Sequence, residues 1–242
     1  HESVKIIAMD FKSFFNQYLE AITRFVSRPQ QIRVLGIDIG TSTVRAVEIG
    51  PADTGFEIRL WAVEPVVQGG DVKAALSQLI KNIHYAGQTL VTSVSGKGTL
   101  IRYIDMPRMP LDDLRRSFTY DLDKYFPFDP QSVYTDCFIL DPSNAEKRMS
   151  VLVVAVKKEI VDERLKLFKD LGLKLEHITT GTVAIANAFA RLGPHPDGGA
   201  KAILDIGEGV SDLIILKDLS PRFTRDIFVG GREMTRQIAH VL

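Results

Sequence analysis

Two short stretches hold the residues best suited to chemistry. Leu35–Ile49 reads LGIDIGTSTVRAVEI, and Ala202–Leu216 reads AILDIGEGVSDLIIL. Each sets Asp-Ile-Gly between apolar, β-rich runs, at Asp38–Gly40 and at Asp205–Gly207. A strand–turn–strand bent at glycine aims successive backbone N–H groups into one concavity, a nest that binds anions without a cationic side chain. Gly40 permits positive φ and lets a phosphate approach the backbone closely. Thr41 and Ser42 add hydroxyl donors. A lone carboxylate beside a nest repels phosphate, so Asp38 makes sense if a divalent cation lies between them. Mg²⁺ suits that place, because it takes few carboxylates, several waters and phosphate oxygens. The second stretch repeats the logic with Asp205, Gly207, Gly209 and Ser211. The two turns together are expected to hold a β,γ-diphosphate and one Mg²⁺, with Asp38 and Asp205 reaching the metal through water. Asp-x-Gly alone is a common turn. It is the pair, each opening a run of three strands, that points to a site.

Other motifs say less. Gly230-Gly231 precedes the last helix and is expected to turn its N-terminus toward the phosphates. Ser95–Thr99, SGKGT, looks like a phosphate loop, but a Walker motif needs Gly at 91 and Ser or Thr at 98; the chain has Val91 and Gly98. It reads as a hairpin turn. His84, His177, His195 and His240 lack ligand spacing, so no metal cage is expected beyond Mg²⁺. Cys137, the one cysteine, lies in a β-rich run and suits a reducing cytosol.

The elements that must position these residues follow from periodicity. Residues 11 to 26 place Phe11, Phe14, Tyr18, Ile22 and Phe25 at helical spacing, an aromatic–aliphatic stripe fit to pack on protein or lie against a membrane or partner. Strands are expected at 32–38, 43–49 and 56–63, a helix at 72–85 and a strand at 89–95. A different pattern follows: a strand ending in Met106-Pro107, a helix at 111–125 stopped by Pro127, and strands at 133–140 and 149–156 around a polar loop. A helix at 158–171, a strand at 174–179 and a small-residue helix then lead past the breaker GPHPDGGA to strands at 201–205, 211–216 and 222–228 and a last helix. Strand–helix alternation predicts an α/β protein with mixed sheets.

Composition bounds the function. The 242 residues carry 30 Lys plus Arg and 30 Asp plus Glu, and that zero balance gives no electrostatic case for a nucleic-acid partner. A hydrophobic fraction of 45% with 25% charged residues is that of a soluble globular protein. No apolar run approaches a membrane span, no cleavable signal is visible, and Met9 is a candidate natural start.

The two Asp-Ile-Gly stretches resemble the nucleotide-binding signature of the actin-like ATPase superfamily, which includes actin, sugar kinases, chaperone ATPases and the division protein FtsA. DIGTSTVRAV is similar to the first phosphate motif and DIGEGVSDLII to the second, with Ser211 where Thr is usual. Arg45 falls where some members carry a phosphate-contacting Lys. The middle of the chain, from Ile101 to Leu140, resembles the PilM family of type IV pilus assembly: Arg102, Met106-Pro107, Leu111-Asp112-Asp113 and Phe126-Pro127-Phe128 carry the likeness. The resemblance runs from about Val34 to Leu242.

That resemblance implies actin-like, ribonuclease H-like lobes with an inserted strand-helix-strand-strand domain. The expected divisions are an N-terminal helix at 1–31, a first lobe at 32–89 and 178–200, the insert at 90–177, and the start of an incomplete second lobe at 201–242. It implies ATP and Mg²⁺ as ligands, held by Gly40, Thr41, Ser42, Arg45, Gly207, Gly209, Ser211, Gly230 and Gly231. Where hydrolysing relatives place Glu or Gln, this chain offers Thr180, Thr182, Ala184 and Asn187, which predicts weak or absent ATPase activity. The implied role is a cytoplasmic scaffold, peripheral to the inner membrane. It would dock the short cytoplasmic tail of an inner-membrane pilus protein (PilN in that family), with the assembly ATPase and further copies of itself as other partners. The alternatives are the cytoplasmic region of a type II secretion GspL-like protein, an active actin-fold ATPase and an FtsA-like filament protein.

Overall fold

The computed structural model describes residues 33–52, 55–67, 70–140, 147–193 and 199–241. The striped helix expected over 11–26 lies outside the described residues. The described residues divide into two units, the first from those within 33–93 with Glu163–Ile178, the second from those within Val94–Asp162 and 179–241.

The first unit is a five-stranded sheet. Its strands are β1 (Val34–Ile39), β2 (Thr43–Pro51), β3 (Phe56–Pro65), β4 (Thr89–Val94) and β8 (Leu175–Thr180), in the order β3-β2-β1-β4-β8. β1 pairs antiparallel with β2 and parallel with β4. Alternation decides which side chains face inward: Leu35 and Ile37 on β1, and Val44 and Ala46 on β2, are buried, while the residues between them are not. Helix α1 (Val72–Asn82) packs against β2 and β3 and buries Ala75 and Leu76 with Leu79 one turn later. The Asp71 carboxylate caps it by accepting from the Lys73 amide at 2.8 Å. Glu48 is a buried acid on β2. Arg33 donates to it twice, at 2.5 and 2.8 Å, and Gln88 once, at 2.8 Å, which holds its pKa below the ordinary carboxylate range.

The second unit contains two three-stranded sheets. β5 (Thr99–Pro107), β6 (Val133–Ile139) and β7 (Arg148–Lys157) form one, in the order β5-β7-β6, all antiparallel. β7 is central, and an unbroken run from Val151 to Val156 is buried. Helix α2 (Leu111–Asp121) and the 3-10 turn Leu122–Lys124 lay Leu114, Phe118, Leu122 and Phe126 on the Val151, Val153 and Ala155 face. These four recur every fourth residue, the spacing of one helix face. The other sheet is an antiparallel meander of β9 (Ala200–Ile206), β10 (Ser211–Lys217) and β11 (Ser220–Ile227). Helix α4 (Gly181–Leu192) packs on it through Ala186 against Ile214 and Leu216, and α5 (Gly231–Val241) ends the described chain. The remaining helix, α3 (Lys158–Lys169), follows β7, and from Glu163 onward it belongs to the first unit.

Three expectations need correction. The insert does not begin at 90 or end at 177, because β4 and β8 are strands of the five-stranded sheet; the strand-helix-strand-strand body is β5-α2-β6-β7. The helix expected to reach Tyr125 leaves α geometry at Asp121 and finishes as a 3-10 turn. Ser95–Thr99 is not a β-hairpin: it joins β4 to β5, which lie in different sheets, with Gly96 and Gly98 at φ of 90° and 100°.

Candidate functional site

The β1–β2 hairpin builds the first turn. Its register sets Asp38 opposite Arg45 and Ile39 opposite Val44, and the Gly40 amide closes the bend onto the Thr43 carbonyl at 2.9 Å. Thr41 and Ser42 stand exposed at the tip. Gly40 does not use the positive φ open to a glycine. Its lack of a side chain matters for space instead: a Cβ there would sit 3.2 Å from the Thr43 oxygen. Asp38 and Arg45 form an ion pair at 3.1 Å. The Thr43 hydroxyl is buried without a hydrogen-bond partner at the base of the turn. Thr92, near the end of β4, donates to the Ile37 carbonyl at 2.6 Å and accepts from Arg164 of α3 at 3.3 Å. The C-terminal ends of parallel strands, where open α/β sheets receive ligands, therefore carry the glycine turn, Arg45 and Arg164.

The second turn has the same backbone. Asp205 lies opposite Asp212 and Ile206 opposite Ser211, and the Gly207 amide closes onto the Val210 carbonyl at 3.0 Å. Gly207 is needed for close approach, since its Cβ would stand 2.6 Å from the Val210 oxygen. Gly230 and Gly231 come against this turn. The Gly231 amide donates to the Gly207 carbonyl and the Arg232 amide to that of Glu208, both at 2.9 Å. The start of α5 is thereby tied to the turn, and an Arg232–Glu208 ion pair at 2.6 Å brackets it. The Ser211 hydroxyl donates to the Val229 carbonyl at 2.7 Å, a structural bond.

The charges around the two turns differ. At the first, Arg45 and Arg164 face one carboxylate, Asp38. At the second, Asp205, Asp212 and Asp226 occupy register positions directly across β9, β10 and β11. Asp212 is 9% exposed, and its Oδ1 has no hydrogen-bond partner. Burial first, then Asp226 and Asp205, pushes its pKa up to about 6. Asp226 is raised as well, chiefly by burial, against the lowering effect of the Gly96 amide that donates to it. Among the described residues no three His, Cys, Asp or Glu side chains converge as a metal cluster. Taken singly, the first turn offers hydroxyl and cationic donors of the kind that suit phosphate, and the second offers carboxylates of the kind that suit metal-bound water.

Also within the second unit, a cleft of about 360 Å³ runs between the Ser95–Arg102 segment and the Thr224–Phe228 segment, with Phe128, Thr180 and Thr182 completing its walls. β5 and β11, which border it, are both edge strands. Lys97 Nζ stands 5.5 Å from the Phe228 ring centroid. The hydroxyls of Thr99 and Thr180, both buried, lack partners.

The structure thus gathers Asp38, Gly40, Thr41, Ser42 and Arg45 around one turn, and Asp205, Gly207, Gly209, Ser211, Gly230 and Gly231 around the other. Sequence reading missed Asp212, Asp226 and Arg164. For Asp212 a signal existed: it follows Asp205 by seven residues, as Arg45 follows Asp38, and that spacing pairs the two across the hairpin. For Arg164 there was none.

Comparison with known proteins places the fold. Residues 36–242 match the family model of type IV pilus assembly protein PilM. A chain of a solved PilM–PilN type IV pilus biogenesis complex is 25% identical, with a TM-score of 0.72 over 86% of this chain. This chain spans 65% of the length of that relative. The cytoplasmic domain of EpsL, an inner-membrane component of the Vibrio cholerae type II secretion system, is 15% identical with a TM-score of 0.54, covering 81% of this chain and 71% of that one. A Bacteroides thetaiotaomicron protein of actin-like ATPase fold and unknown function is 10% identical with a TM-score of 0.51, covering 87% and 76%. The fold is that of the actin-like ATPases. Among the described residues no helix is long and apolar enough to cross a membrane.

Proposed function

This chain belongs to the family of type IV pilus assembly protein PilM, and on that premise we propose that it is an actin-like scaffold that binds Mg-ATP at its two turns and docks the cytoplasmic tail of an inner-membrane pilus protein. The observation that carries the docking is the likeness to a chain of a PilM–PilN complex, at 25% identity and a TM-score of 0.72. The cleft bounded by β5 and β11 supports it physically. An edge strand offers unpaired backbone groups to an extended peptide, and alternate side chains of that peptide find pockets. Leu100, Ile101 and Phe128 supply apolar contact, and the unpartnered Thr99 and Thr180 hydroxyls supply polar contact.

In the nucleotide half of the proposal, Gly40, Thr41, Ser42 and Arg45 hold phosphate oxygens. Gly207, Gly209, Gly230 and Gly231 leave room for phosphate oxygens at the second turn, and Asp38 and Asp205 orient waters of the metal. Bound Mg²⁺ supplies charge neutralisation of the phosphates. The first half of α4 and its middle carry Thr182, Ala184 and Asn187 in place of a water-positioning Glu or Gln, so the nucleotide serves as a structural ligand with little turnover.

Calorimetric titration with synthetic peptides of candidate N-terminal cytoplasmic tails of inner-membrane pilus proteins tests the docking. Saturable binding is expected, weakened at least about tenfold by Ile101→Arg, which fills the cleft. Absence of binding by the folded wild-type protein, with Mg-ATP present, overturns the reading.

A further inference from the structure

We propose that Arg164 is an anion-binding residue of the first turn and that its anion is a phosphate of the bound nucleotide. The inference rests on the reading of that turn as a polyphosphate site and adds to it a residue from a distant helix. Arg164 is half-buried on α3. Its Nη1 donates to two neutral acceptors, the Thr92 hydroxyl at 3.3 Å and the Ser93 carbonyl at 3.1 Å. Among the described residues it makes no ion pair. The anion it faces is Asp38, already paired with Arg45 at 3.1 Å. Burial pulls its pKa downward, the mark of a cation short of compensating charge.

A guanidinium removed from water without a carboxylate is costly, and such charges are ordinarily paired. Two arginines around one carboxylate leave this end of the sheet with an excess positive charge. The surroundings select phosphate over a protein carboxylate. Gly40 lets an anion approach the backbone, Thr41 and Ser42 present hydroxyls, and the orphaned Thr43 hydroxyl lies beneath. A planar guanidinium fork meets a phosphate with two parallel hydrogen bonds. Arg164 is also tethered to the strand that ends in the turn: Thr92 accepts from it and donates to the Ile37 carbonyl, one residue before Asp38. A phosphate taken by Arg164 and the turn would join α3 to β1 and β4 at their functional end.

Calorimetry of the intact protein with Mg-ATP, and with inorganic tripolyphosphate as a probe lacking the base, tests the assignment. Arg164→Met should weaken both ligands about 10- to 100-fold, and Arg164→Lys should recover part of that loss by restoring charge without the fork. A purely structural role would lower the melting temperature without such rescue. If Arg164→Met fails to fold, Arg164→Lys carries the test alone, with a loss of about threefold or more expected and unchanged affinity overturning the assignment. Unchanged affinity in Arg164→Met, with Gly40→Val abolishing binding, overturns the role of Arg164 and leaves the turn standing. Wild-type protein that binds neither ligand overturns both. Weakened binding of a Glu-rich peptide with nucleotide affinity intact would make the anion a protein carboxylate and end the proposal.

Discussion

Replacing Asp212 with Asn should remove a pH-dependent penalty that the wild-type fold carries. Asp212 is 9% exposed, and its pKa rises from 3.8 to about 6, by burial first and then by the charges of Asp226 and Asp205. A carboxyl whose folded pKa lies above its unfolded one takes up a proton on folding between the two values. Stability therefore falls as pH rises from 3.8 to about 6, and the penalty is complete above that window. A gap of roughly two units, at about 1.36 kcal/mol each, caps it at about 3 kcal/mol. Asp226, raised by the same burial, shares the transition, so it belongs to the pair. Glu48 and Asp170 act in the opposite sense. Their pKa values are lowered, so their stabilisation is present above the ordinary carboxylate range and lost as pH falls through their folded values. The difference between wild type and Asp212→Asn cancels them. Urea unfolding with EDTA present, from about pH 5 to about pH 8, measures that difference while an unchanged slope confirms the same unfolding reaction. The Asn variant should be more stable by about 1–3 kcal/mol at neutral pH, with the advantage shrinking as pH falls below about 6. An advantage under about 0.5 kcal/mol at neutral pH, or one that does not change with pH, refutes the assignment of a buried, proton-binding pair.

Two glycines of the second turn should respond differently to the same change. Gly207→Ala puts a Cβ 2.6 Å from a backbone oxygen and should cost about 1 kcal/mol or more, whereas Gly209→Ala meets nothing within 4 Å and should stay within about 0.5 kcal/mol. Equal thermal shifts in the two variants would remove close approach as the reason for Gly207. Phe118→Ala opens the core between α2 and β7 and should cost about 3–5 kcal/mol, seen as faster amide exchange along β7 while β1 and β2 keep their protection. Parallel loss of protection in both sheets would show that the two units do not unfold separately.

The strands and the two turns were legible because period-two burial and a glycine after Asp-Ile leave direct marks in the chain. Leu35 and Ile37 alternate with their solvent-side neighbours as a half-buried strand requires. The division of the middle segment was not legible in the same way. β4 reads TLVTSV and β5 reads TLIRYIDMP. Nothing in their local pattern says that the first joins β1 and the second joins β7, because sheet membership is decided by partners far away in sequence. Gly40 is legible as a turn residue, but the reason it must be glycine is not. Type and position suggest that a side chain is forbidden, but only packing tells whether dihedral or space forbids it. Arg164 lies in a helix of alternating charges, where a solvated surface residue and a half-buried cation look alike.

The two hairpins show how little sequence is needed to reverse the chemistry of a shared backbone. Both close by a glycine amide onto the carbonyl three residues later, and both set the aspartate opposite the residue seven positions on. At the first hairpin that residue is Arg45, so the carboxylate is neutralised across the ladder and repels an anion at the turn less. At the second it is Asp212, with Asp226 beyond it on β11, and the carboxylates add rather than cancel. A row of like charges across three strands destabilises a sheet unless a proton or a cation is taken up. Folding alone would favour an apolar or basic residue at 212, and retaining the acid there makes physical sense if the second hairpin works with a hydrated cation while the first works with phosphate.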